Sequence, residues 1–163
     1  MTLPAFDPLK AFRVLLQHGV RFVIIGGLAG RLLGSPTVTN DLDICYGRDP
    51  ANLERLANAL RALKARLRGV DEEVPFELDA ESLAAGDTFT FVTDAGYLDI
   101  IGTPAGTTGY DDLARTATKL ELNGLSVAVT HVEDLIRMKR AAGRPKDKIE
   151  VEVLLALRDE LDR

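Results

Sequence analysis

One cysteine, Cys45, in a chain of 163 residues leaves no partner for an internal disulfide. A lone thiol fits a reducing compartment, so a cytoplasmic protein is expected. No apolar run approaches the roughly 18–20 residues that span a bilayer, and the first residues carry no basic-then-apolar leader pattern. No membrane partner is expected. Positive charge is also in short supply, with 20 Lys and Arg against 25 Asp and Glu and a net charge of −5. That balance disfavours a protein that coats nucleic acid without specificity. Several signatures are missing as well. There is no G-x-G-x-x-G, no Gly-Lys-Ser/Thr ending of a P-loop, no zinc spacing and no Ser-His-Asp order. The two histidines, His18 and His131, have no partner motif, and His131 reads as structural, next to a helix cap.

What is present is ordinary in bulk. Apolar residues make up 46% of the chain and its mean hydropathy is +0.03, as in a soluble globular domain. Asp7-Pro8 reads as a helix cap and first-turn proline, and Gly19 as the stop. Phe22 to Ile25 is a short apolar strand broken by Gly26-Gly27, with a short helix from Leu28 to Leu33 and a second strand from Asp41 to Tyr46. Leucines at helical spacing predict a long helix from Pro50 to about Leu67. The segment from Gly69 to Asp87 is acidic at Asp71, Glu72 and Glu73, contains Pro75, and suggests a helical turn near Ser82. Thr88–Val92 and Tyr97–Ile101 read as paired strands, followed by a glycine-rich loop through Gly102, Gly106 and Gly109. Asn123-Gly124 marks a hairpin between Lys119–Leu122 and Leu125–Val129. Thr130 and Glu133 read as a capping box opening a helix to about Ala142, and Pro145 starts a last helix after Gly143. The expected class is α/β or α+β: a mixed sheet flanked by helices.

The chemistry gathers around Thr39-Asn40-Asp41-Leu42-Asp43. Alternate residues of a strand share a face, so Asp41 and Asp43 project together while Leu42 and Ile44 turn to the core. Two close carboxylates repel unless a cation lies between them, and hard oxygens suit magnesium. Asp99 is the lone acid of another apolar strand, and neighbouring strands would bring all three acids to one face. Three carboxylates, a Gly-Gly turn at a helix start and a basic segment match the needs of phosphoryl transfer, which are positioning and charge neutralisation. Gly26 and Gly27 would let backbone N–H groups approach phosphate oxygens. The segment from Arg137 to Lys148 holds six basic residues against Asp147 alone. Within it, Lys139 and Arg144 flank a helix break that could aim them at the sheet, whereas Arg137, Arg140 and Lys148 read as solvated. Each feature has a plainer reading: packing punctuation, a solvated strand end, an edge charge.

Ile-Gly-Gly-Leu-Ala, Thr-x-Asp-Leu-Asp-Ile and Leu-Ile-Arg-Met-Lys-Arg-Ala-Ala-Gly-Arg-Pro-Lys-Asp together resemble the polymerase-beta-type nucleotidyltransferase superfamily. The wording is similar to the AbiE-type toxin nucleotidyltransferases and their relatives. The resemblance runs from about Phe22 to Asp147 and implies a single nucleotidyltransferase domain over residues 1–163, with a core of about 20–130 and a helical part of 131–163. It implies that Asp41, Asp43 and Asp99 bind two Mg2+ (Mn2+ as an alternative) and form the catalytic set. It implies that Gly26, Gly27, Thr39, Lys139, Arg144 and Asp147 contact an NTP such as ATP. Leu28 stands where many members carry Ser, and Thr37 where relatives often carry Arg. The expected activity moves a nucleoside monophosphate from an NTP to a hydroxyl acceptor. An RNA or tRNA end, in a toxin–antitoxin setting with a cognate antitoxin protein, is the first acceptor to consider; a hydroxylated antibiotic is the next. A non-catalytic antitoxin-like binding module is the rival from another class.

Overall fold

The computed structural model describes residues 4–69 and 76–163; Asp71, Glu72, Glu73 and Pro75 lie outside the described residues. Asp7 caps α1 (Pro8–Gln17) by accepting a hydrogen bond from the Lys10 amide at 3.2 Å. The strands β1 (Phe22–Ile25) and β2 (Asp41–Tyr46) form an antiparallel pair on either side of α2 (Gly26–Leu33). The short helix begins at Gly26, ahead of the expected Leu28. It ends at Gly34, whose φ of 119° suits glycine and few other residues.

The next helix, α3 (Pro50–Ala62), is shorter than the leucine spacing predicts. Lys64 takes φ of 54° and turns the chain into β3 (Arg66–Leu67), which pairs antiparallel with β4 (Thr88–Thr93). Leu63 is fully buried and Leu67 packs against the core. Both leucines are therefore core residues, but one caps a helix and the other sits in a strand. The turn near Ser82 is α4 (Ala80–Ala85), capped by Asp79. β4 and β5 (Gly96–Ile101) form the expected hairpin. The glycine-rich loop leads into α5 (Tyr110–Thr116), a helix the sequence reading did not separate from the loop. β6 (Thr118–Leu122) and β7 (Leu125–Val129) close on Asn123 and Gly124, at φ of 48° and 81°. Positive φ at both positions is the geometry of the tight primed turn.

The sheet order is β3-β4-β5-β2-β1-β7-β6, parallel at β2–β5 and β1–β7 and antiparallel elsewhere. Leu42, Ile44, Leu98, Ile100 and Phe91 are buried in one core together with Leu56 and Leu60 of α3. α6 (Val132–Ala142) packs on α2 and on α7 (Pro145–Leu161). The expected capping box at Thr130 is corrected. The Thr130 amide still bonds the Ile24 carbonyl at 3.0 Å, as part of the strand pairing. Its buried hydroxyl has no hydrogen-bond partner among the described residues. His131 is the cap instead, its Nδ1 accepting from the Glu133 amide at 3.1 Å. Among the described residues no helix is long and apolar enough to cross a membrane.

Candidate functional site

The parallel pairing of β2 and β5 sets Asp43 opposite Asp99 and Asp41 opposite Tyr97. Paired residues of neighbouring strands share a face, and strands lie about 4.8 Å apart. The three acids and Tyr97 therefore rise from one side of the sheet, about two residues of strand separating Asp41 from Asp43. Leu42, Ile44, Leu98 and Ile100 are nearly or fully buried on the other side.

Crowding leaves its mark on these carboxyls. Asp43 is pushed up to about 7, by burial first and then by the charges of Asp99 and Asp41; Lys139 and Arg68 pull the other way. Asp99 is also raised, chiefly by burial and against the pull of Arg68, and it shares a hydrogen bond with Asp43. Among the described residues no three His, Cys, Asp or Glu side chains stand as a ready-made metal cage. The Arg68 guanidinium occupies Asp99 instead, at 3.0 and 3.3 Å from its two oxygens, with its Cζ 4.5 Å from the centre of the Tyr97 ring. The donor set nevertheless fits a hard divalent cation: three carboxylates on one face, with mutual repulsion that a cation would relieve.

The burial of Asp43, together with that repulsion, makes a testable contribution to stability. Well below its ordinary value of 3.8, Asp43 is protonated in both folded and unfolded chains. Between its ordinary value of 3.8 and about 7, the unfolded chain ionises while the folded one keeps its proton, so stability falls as pH rises through that window. Above about 7 the loss is complete. Asp43→Asn should therefore raise the metal-free stability at pH 8 by about 1–3 kcal/mol and leave it almost unchanged at about pH 3. Urea titrations at the two pH values check this.

Gly26 has φ of 71°, and a Cβ there would run into the Asp43 carboxylate; a Cβ on Gly27 would lie 3.2 Å from Thr39. The two glycines thus let the start of α2 approach Asp43 and Thr39. Thr39 Oγ1 donates to the Asp41 carbonyl at 3.3 Å and accepts from the Asp41 amide at 3.4 Å, bracing the strand where the acids begin. Leu28 is buried, and Thr37 hydrogen-bonds Ser35 in a local turn.

Beyond the acids stands Lys139, close enough to Asp43 to lower its pKa. Its Nζ lies 3.4 Å from Asp147. Asp147 is only 1% exposed and accepts from the Arg144 amide at 3.1 Å and from Nε at 2.7 Å. Those hydrogen bonds hold its carboxyl down at about 2. Asp147 thus ties Lys139 and Arg144 together across the helix break. Arg144 leaves more than half its side chain exposed, and Arg140 and Lys148 are solvated as expected. Arg137 is not. It bridges Asp112 and Asp134 at 3.0 Å each and bonds the Gly106 carbonyl, fastening the glycine-rich loop to α6.

No protein-family model and no curated protein matches the chain. Solved structures do. A putative nucleotidyltransferase (TM1012) from Thermotoga maritima is 19% identical, with 98% of this chain and 96% of that one covered at a TM-score of 0.53. The lincosamide antibiotic adenylyltransferase LnuA, solved with lincomycin bound, is 11% identical over 92% and 95% at a TM-score of 0.61. The antibiotic-resistance factor ANT(2'')-Ia is 16% identical over 95% and 91% at a TM-score of 0.51. At these identities the likeness is one of fold: a mixed seven-stranded sheet with helices, in the nucleotidyltransferase arrangement.

Two residues on this face escaped the sequence reading. Arg68 was hidden by the predicted extension of α3, which placed it just past a helix end. Tyr97 was assigned to its strand, but only the register puts it beside Asp41.

Proposed function

We propose that this chain transfers a nucleoside monophosphate from an NTP to a hydroxyl acceptor and releases pyrophosphate. The observation that carries the reading is the register that sets Asp43 against Asp99, with Asp41 on the same face. Asp41, Asp43 and Asp99 are the residues that would hold Mg2+. When bound, the metal would neutralise triphosphate charge and acidify the attacking hydroxyl. The Asp99 carboxylate takes the proton of the acceptor hydroxyl. The start of α2 at Gly26-Gly27, together with Lys139 and Arg144, receives the triphosphate oxygens. Asp147 acts through those two cations as a positioning residue and does not itself touch the nucleotide.

The acceptor in this reading is a small hydroxylated molecule. A cavity of about 220 Å³, lined by Phe6, Asn40, Val92, Gly96 and Tyr97 among others, opens beside Asp41. It has the size and the aromatic walls for a single ring of a ligand. Half of the basic segment is engaged within the chain, Arg137 with two aspartates and Lys139 and Arg144 with a third, which leaves less of it to grip an RNA. Two structures of similar fold are antibiotic-modifying or antibiotic-resistance proteins, which agrees with this choice.

The test is to incubate the protein with Mg2+, each labelled NTP, and either hydroxylated small molecules or total RNA. Label on a small molecule with stoichiometric pyrophosphate supports the reading. Label on RNA would transfer it to the toxin-like alternative. No label and no pyrophosphate with any acceptor would leave a binding module. A second measurement concerns the phosphate side. Losing a charge-assisted contact costs about 1.5–3 kcal/mol, so Lys139→Ala should weaken NTP binding roughly ten- to hundredfold. Arg140→Ala, on the solvated side of the same helix, should change it less than twofold. Equal effects in calorimetry would remove Lys139 from the site.

A further inference from the structure

We propose that Arg68 is a built-in competitor of the divalent cation, holding Asp99 in the metal's place until the metal displaces its charge. This rests on the metal-binding reading of Asp41, Asp43 and Asp99 and adds to it a residue that sets the metal affinity.

Arg68 is held at several points, which distinguishes it from a passing surface charge. Its amide donates at 2.9 Å to the carbonyl of Thr90, the β4 residue paired with Asp99. Its guanidinium contacts both Asp99 oxygens, and its plane rests over Tyr97, which shares the face with Asp41. Only 30% of its side chain and 19% of that of Asp99 are exposed, so water screens the pair weakly. A guanidinium so placed supplies one positive charge to a cluster of three acids. It relieves the repulsion that a divalent ion would otherwise relieve, and it repels that ion while it remains. The free protein is thus stabilised without metal, and binding a divalent ion requires the Arg68–Asp99 contact to weaken.

The consequence is a metal affinity lower than three carboxylates alone would give. Removing the guanidinium should tighten divalent binding by about tenfold or more, since a unit charge a few ångströms away acts through weakly screened surroundings. Arg68→Lys keeps the charge but loses the planar fork and the stacking on Tyr97, so it should fall between the parent and Arg68→Ala.

Mn2+ binding to the free protein, measured by calorimetry and by electron paramagnetic resonance, tests this without any assay of turnover. Compared are the parent, Arg68→Ala, Arg68→Lys and Asp41→Asn/Asp43→Asn. The proposal expects Arg68→Ala to bind Mn2+ about tenfold tighter than the parent and Arg68→Lys to fall between the two. It also expects the metal-free Arg68→Ala protein to melt below the parent and to gain more from Mn2+ than the parent does. Equal or weaker Mn2+ binding by Arg68→Ala, with the parent's binding still abolished in the double Asn variant, overturns the proposal and leaves the nucleotidyl-transfer reading standing. No Mn2+ binding that depends on Asp41 and Asp43 in any variant overturns both.

Discussion

Asp41→Asn combined with Asp43→Asn is expected to abolish magnesium-dependent NTP binding and to leave a folded protein. The expectation comes from the strand. Asp41 and Asp43 share a face with Asp99, and their neighbours Leu42 and Ile44 are buried behind them. Asn keeps the size and the hydrogen-bonding ability of each side chain but removes the charge that attracts a cation and the repulsion it balances. NTP affinity in the presence of Mg2+ should fall by at least a hundredfold, about 2.7 kcal/mol or more. Any binding left should be the same with and without Mg2+, and it should run through Lys139 and Arg144. Calorimetry with a non-hydrolysable NTP analogue reads both quantities. Undiminished magnesium-dependent binding would move the metal away from β2.

Asp99→Asn separates binding from chemistry. Asp99 faces Asp43 across the parallel pair, on the side of the sheet leading to β4 and the aromatic cavity. In the proposed reaction its carboxylate takes the proton of the acceptor hydroxyl, work that an amide cannot do. Transfer should fall by about 10²–10⁴-fold, the range of general-base contributions. NTP affinity should change only severalfold, because Asp41, Asp43 and Lys139 remain. Single-turnover kinetics beside equilibrium NTP binding distinguish the two effects. Parallel losses in both would recast Asp99 as a part of the nucleotide seat. Unchanged transfer would exclude it from the chemistry.

Much of this site was legible in the chain. Asp-Leu-Asp in an apolar run can alternate only one way in a half-buried strand, and Asp99 between Leu98 and Ile100 gives the same signal. A helix start at the Gly-Gly pair and the Gly143 break were visible because glycine and proline act locally, although the pair itself forms the first turn of α2. Asn123-Gly124 gave its hairpin for the same reason. The misreadings share another cause. α3 was extended because Leu63 and Leu67 keep helical spacing, yet both are core residues for tertiary reasons, and no glycine announced the turn at Lys64. α5 has one buried residue, Leu113, and no side-chain cap, so it left almost no periodicity to read. Thr130 looked like a cap because its type suits one, but it follows the end of β7 and its amide bonds Ile24 of β1. Strand order is a long-range property, and the placement of Arg68 on Asp99 follows from it alone.

The pairing that builds the site also bears on how the chain folds. β4–β5 and β6–β7 are hairpins closed by short turns, whereas β2–β5 joins distant parts of the chain in parallel, an arrangement that closes a long loop before it gains any contact. That closing step must bring Asp43 alongside Asp99, two like charges, at the moment when little else yet holds the strands together. β3 pairs directly with β4, so the β3-β4-β5 unit can present Asp99 already neutralised by Arg68 before β2 arrives. In an assembly that takes that route, β2 would meet a strand whose acid is already balanced by the arginine.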